Sequence, residues 1–172
     1  MRALVKIAKD HGYGAEMFLQ TLATNEKQKH VLSDMVLEKF GQNLKGKIFS
    51  VWGLAFKAGT DDMRESSALT IINNLIAKGA KIKAHDPEAM ECAKRPEYFG
   101  ENASIAYCND KYDALDGTDA LLIITEWKEF RTPDFGEMLK RLKQAVIFDG
   151  RLLYEPKKMK EFRFEYKSIG RK

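Results

Sequence analysis

Five short runs rich in Ile, Val and Leu constrain this chain more than anything else in it: residues 47–53, 80–86, 103–108, 119–125 and 145–150. Each closes on Gly, Asp or a polar cluster, and runs of that length and composition form β-strands. Segments of helical periodicity lie between them. SSALTIINNLIAKG sets Leu69, Ile72, Leu75 and Ile76 on one face and stops at Gly79, and PEAMECAKR and DFGEMLKRLKQ follow further on. Strands that are apolar at successive positions are buried on both faces, which requires helices above and below them. The predicted fold class is therefore α/β, a Rossmann-like doubly wound parallel sheet with right-handed crossovers.

Upstream of the first strand the pattern is helical. Leu4, Val5, Ile7 and Ala8 predict a helix over 2–10 that ends at Gly12 and Gly14. A second helix is expected over 15–40, where Phe18, Leu22, Leu32, Met35, Val36 and Phe40 recur at three and four, although its middle, NEKQKH, is polar all round. At ~1.5 Å per residue it would be ~39 Å long, more than a compact domain of this size needs. Residues 1–43 are accordingly read as a helical linker and dimerisation segment that self-associates through 15–40, ahead of an α/β domain over 44–172. The alternative is a helix lying along its own domain.

Composition narrows the setting. With 44% hydrophobic residues, 31% charged residues and 4 prolines, a disordered or collagen-like chain is excluded. No apolar run nears the ~20 residues of a membrane span. The opening MRALVKIAKDHG carries charges where a signal peptide needs an apolar stretch. Cys92 and Cys108 have no second pair to complete a zinc site, so they are expected to be reduced thiols of a cytoplasmic protein, with no metal. The net charge of +4 comes from the end of the chain: residues 155–172 carry 7 Lys or Arg and 3 Asp or Glu, leaving 22 of each sign elsewhere. Phe162, Phe164 and Tyr166 among those cations have the makings of a phosphate-backbone contact. A solvated terminal segment is the expectation, with neither nucleic acid nor membrane as a partner.

Ligands of an open parallel sheet bind beyond the carboxyl ends of its strands. There the first strand is followed by GLAFKAGTDDMRE, 13 residues, against about 2 to 6 for an ordinary βα connection. Phe56 and Lys57 near its start and Arg64 near its end offer one aromatic face and two cations, a set suited to a base carrying phosphates. The alternative is that Phe56 is core, Lys57 is solvated and Arg64 pairs with Asp61 or Asp62. Gly53 and Gly59 do not make GxGxxG, so phosphates here would be held by side chains. Asp86 at the end of the second strand either binds a ribose or marks a DP turn. Arg151, after the Asp149 and Gly150 turn, is placed to grip a phosphate or a sugar hydroxyl bidentately. His11, His30 and His85 lie far apart and read as surface or packing residues, and nothing beside Cys108 would lower its pKa, so no catalytic residue is expected in this segment.

VWGLAFKAGTDDMRESSALTII, AHDP, the Thr125-Glu126-Trp127 triplet, VIFDGR and YKSIG, in this order and spacing, resemble the C-terminal, UDP-binding region of the UDP-glucose 6-dehydrogenases within the UDP-glucose and GDP-mannose dehydrogenase family. The resemblance covers essentially the whole chain and departs at Ala58 and Gly59, where many members have a proline after the lysine. It implies NAD-dependent oxidation of UDP-glucose to UDP-glucuronate in two steps through a cysteine thioester. It also implies that the cysteine, the general base and the NAD-binding domain belong upstream of this segment. Phe56, Lys57 and Arg151 would then meet the UDP-sugar, and Arg64 would reach NAD. On this reading the chain alone turns nothing over. The competing reading is a stand-alone nucleotide-binding or assembly module without turnover.

Overall fold

All five expected strands form in a computed structural model that describes residues 1–171: β1 (Ile48–Trp52), β2 (Lys81–His85), β3 (Ile105–Tyr107), β4 (Ala120–Ile123) and β5 (Val146–Asp149). A sixth, β6 (Glu165–Ser168), extends the sheet. Their spatial order is β3-β2-β1-β4-β5-β6 and every pairing is parallel, the doubly wound arrangement the sequence predicts. The order reverses between β1 and β4. Loops leaving those two strands run to opposite faces of the sheet and open a crevice between them.

Helices α1 (Arg2–Asp10), α2 (Glu16–Gln28) and α3 (Val31–Phe40) precede the sheet, and α4 (Ser67–Ala77), α5 (Met90–Ala93), α6 (Phe135–Arg141) and α7 (Pro156–Glu161) follow. Successive side chains of a strand point to opposite faces, and β1 divides accordingly. Phe49 and Val51 pack with Leu32 and Val36 of α3 and Ile72 and Leu75 of α4. Trp52 faces the other way, with Leu121, Ile147, Met138 of α6 and Met159 of α7. Each such side chain, fully withdrawn from water, is worth roughly 1.5–3 kcal/mol, so two separate apolar layers hold the sheet from either side. Among the described residues, no helix is long and apolar enough to cross a membrane.

Two expectations need correction. The single helix over 15–40 is broken at Lys29 and His30. The His30 amide turns back to Lys27 O at 3.1 Å in place of an i→i−4 bond, and at this break Asn74 of α4 bonds the His30 ring at 2.8 Å. The C-terminal half, α3, packs against the sheet and α4, while Met17, Phe18 and Leu19 of α2 stay exposed. Nor is the basic terminal segment a solvated tail. It forms α7 and β6, with Phe164 buried, Phe162 stacked on Phe135 at 4.7 Å between centroids and the Tyr166 hydroxyl donating to Asp149 Oδ2 at 2.8 Å.

Candidate functional site

Two buried carboxylates build the rim of the crevice. Asp86, immediately after β2, is fully buried; its Oδ2 accepts from the Leu54 and Ala55 amides at 2.7 and 3.0 Å and from Trp127 Nε1 at 3.0 Å, while Oδ1 accepts from the Glu88 and Ala89 amides. With both oxygens committed inside the protein, Asp86 has no face for a ribose, and the ribose reading is set aside. Asp149, the last residue of β5, accepts from the Arg151 and Leu153 amides at 2.7 Å each. Asp86 thus draws the loops after β1 and β4 together, and Asp149 folds the loop that follows it back over the end of β5.

Gly53 marks where the loop after β1 leaves the sheet. Its φ is +97°, and a Cβ built on it would lie 2.4 Å from Thr125 Cβ and 2.6 Å from the Thr125 amide. The glycine is required by close approach of the β4 loop, and the space a pyrophosphate would enter in a glycine-rich turn is filled by Thr125. The Phe56 amide is likewise spent on Asp62 O at 2.8 Å. Among the described residues this crevice offers no backbone cradle for a dinucleotide, so side chains must supply the polar contacts.

A cavity of about 430 Å³ opens beside the rim. Its wall includes Phe56, Ile124, Gly150 and Arg151 from the strand ends, Ser67 and Ile71 from α4, and Asn25, Gln28 and Lys29 from α2 and the break that follows it. Phe56 is 49% exposed, so it is not a core residue. Arg151 donates its Nε to Ile124 O at 2.6 Å and one terminal nitrogen to Phe56 O at 3.4 Å, and Glu126 Oε2 lies 3.2 Å from Nε. Part of the guanidinium therefore holds the rim, which leaves its outer N–H groups for a ligand. Of the four residues singled out from sequence, the structure brings Phe56 and Arg151 together here. Lys57 is exposed and not part of the wall.

Arg64 is also off the wall and takes the local alternative. It forms a two-point ion pair with Asp62, Nε to Oδ1 at 3.0 Å and a terminal nitrogen to Oδ2 at 2.8 Å. The Arg64 side chain, then its amide, and more weakly the Lys57 charge hold the Asp62 carboxyl down at about 2. The residues that sequence reasoning missed are Asn25, Gln28 and Lys29. Their one signal was the all-polar stretch in the middle of an amphipathic helix.

A parallel sheet in this order, with an aromatic face and a guanidinium on a cavity at the switch point, defines the doubly wound class of α/β domain, which takes its ligands there. The chain belongs to the UDP-glucose/GDP-mannose dehydrogenase family, whose UDP binding domain it matches over residues 50–156. It is 38% identical over 173 residues to a UDP-glucose 6-dehydrogenase of Pseudomonas aeruginosa, covering 99% of this chain and 38% of that protein. It is 41% identical over 169 residues to one of Bacillus subtilis, covering 98% of this chain and 36% of that one. Among solved structures, a UDP-glucose dehydrogenase from the archaeon Pyrobaculum islandicum is similar at a TM-score of 0.75 and 30% identity, over 98% of this chain and 35% of that one. The chain thus spans well under half the length of these relatives.

Proposed function

We propose that this chain is the UDP-sugar-binding part of an NAD-dependent UDP-glucose 6-dehydrogenase, with residues 1–43 as its helical linker and 44–172 as the binding domain. The observation that carries the reading is the placement of Phe56 and Arg151 on one cavity at the β1/β4 switch point, inside the stretch that matches a UDP binding domain. Phe56 offers a flat apolar face, and Arg151 offers paired donors for a phosphate or a sugar hydroxyl. Lys57, exposed on the same loop, adds a second charge. NAD would serve as the oxidant, but the residues here do not form a site for its pyrophosphate, so it would be held mainly by polypeptide outside this chain, with Arg64 reaching toward it. The exposed Met17, Phe18 and Leu19 support self-association through the helical segment as a homodimer.

The test is titration of the chain with UDP and UDP-glucose by calorimetry. Lys57→Ala and Arg151→Ala should each weaken binding by about 1–3 kcal/mol, the usual loss for a charge-assisted contact, and Arg64→Ala should not. The chain by itself should reduce no NAD in the presence of UDP-glucose, since neither thiol is activated. Burial pushes the Cys108 thiol up, and Cys92 is enclosed in the core. If all three variants bind like the parent, the cavity is not the site.

A further inference from the structure

We propose that Lys29 is a further phosphate-binding residue of this cavity, held in place by Glu65 until an anion displaces that carboxylate. The inference rests on the nucleotide-sugar reading above and names a contact which that reading does not contain. Lys29 stands at the break between α2 and α3 and lines the same cavity as Phe56 and Arg151. Only 12% of its side chain is exposed. Its ammonium lies 2.9 Å from Glu65 Oε2 and 3.0 Å from Glu26 Oε1. An ammonium has three donors, and the third has no protein partner among the described residues.

Glu65 is as telling as the lysine. It also lines the cavity, and it sits at φ +61°, a conformation unfavourable for a residue with a Cβ. Lys29 and, at 3.2 Å, Arg2 hold it there from the helical segment. Burial pulls the Lys29 pKa down, but bonds to Glu65 and Glu26 outweigh it and leave the group raised, so the cation is fully present at neutral pH. A diphosphate carries more charge than one carboxylate and more acceptors, and it draws a poorly hydrated ammonium more strongly. Glu65 is not left alone by the exchange, because Arg2 remains beside it.

The arrangement makes two variants move in opposite directions, which a purely structural ion pair would not do. In calorimetric titrations of the whole chain with UDP, Lys29→Gln should weaken binding about tenfold, and Lys29→Arg should restore most of it. Glu65→Gln should tighten binding a few fold, because the competing carboxylate is gone while the lysine stays. Thermal unfolding of each variant confirms that it is folded. Unchanged binding by Lys29→Gln while Arg151→Ala loses affinity overturns this inference and leaves the nucleotide reading standing; so does weaker binding by a folded Glu65→Gln. Absence of UDP binding by the parent chain overturns both.

Discussion

Trp127, just beyond β4, donates its indole N–H to Asp86, just beyond β2, across 3.0 Å, and so ties two strand ends that are not neighbours in the sheet. The same carboxylate takes four backbone amides. Asp86→Ala would leave those donors buried without an acceptor, at about 1–3 kcal/mol for each one that water cannot reach. The expected loss of stability is at least about 3 kcal/mol, read as a lower urea midpoint, with Asp86→Asn intermediate. A midpoint within error of the parent would show that the rim is not organised by this residue.

Gly53→Ala tests the closeness of the β1 and β4 loops. The added methyl meets Thr125 backbone and side chain at 2.4–2.6 Å, and the φ of +97° is strained for any residue with a Cβ. A cost of about 2 kcal/mol or more is expected, because the clash is partly with backbone, which cannot rotate away. Thr125→Ser with Gly53→Ala should recover little of it, since the Thr125 amide nitrogen still blocks the methyl.

Tyr154 and Tyr166 predict how the chain fails at high pH. Burial and the nearby Asp149 charge raise both phenols well above their usual value of 10.0. A raised folded pKa contributes stability that is complete below the unfolded value and is lost as pH rises beyond it. Urea midpoints should therefore hold up to about pH 10 and fall above it. Tyr166→Phe should flatten part of that fall while lowering the plateau, because its bond to Asp149 is lost. A flat profile to pH 11.5 in the parent would contradict the assignment.

Self-association is predicted to depend on α2 and not on α3. Met17 is 76% exposed, whereas Leu32 and Val36 are in the core. Sedimentation of the parent should show a dimer at micromolar concentration, and Met17→Ser with Phe18→Ser should shift it to monomer without lowering the urea midpoint. A monomeric parent would remove the dimer from the proposal.

The sheet was legible because β4 and β5 are buried at every position, a pattern that no surface segment produces. Phe56 and Arg151 were legible for a related reason, since strand ends locate the crevice before any coordinates exist. The break at Lys29 was not, because the same apolar period resumes after it, and the residues that Lys29 and His30 bond there, Glu65 and Asn74, are distant in sequence. That distance also hid Lys29 as a wall residue. β6 escaped because Glu165 and Lys167, which break its apolar run, spend their charges on Lys39 and Glu38 of α3, partners distant in sequence that disguise the period of two. Asp86 stayed open between two roles, because a DP turn and a ribose contact look alike in sequence, and only the five donors around the carboxylate separate them.

Arg151 belongs at once to the architecture and to the opening it borders, because the same planar group that fastens Ile124 O and Phe56 O presents its remaining edge to the cavity. An anion settling on that edge would find the guanidinium already aligned, with no rotamer entropy left to surrender. Occupancy should then be transmitted as stiffness: amide exchange at 54–56 and 124–126 should slow when the cavity fills, so that the strand ends record the ligand even where they never touch it.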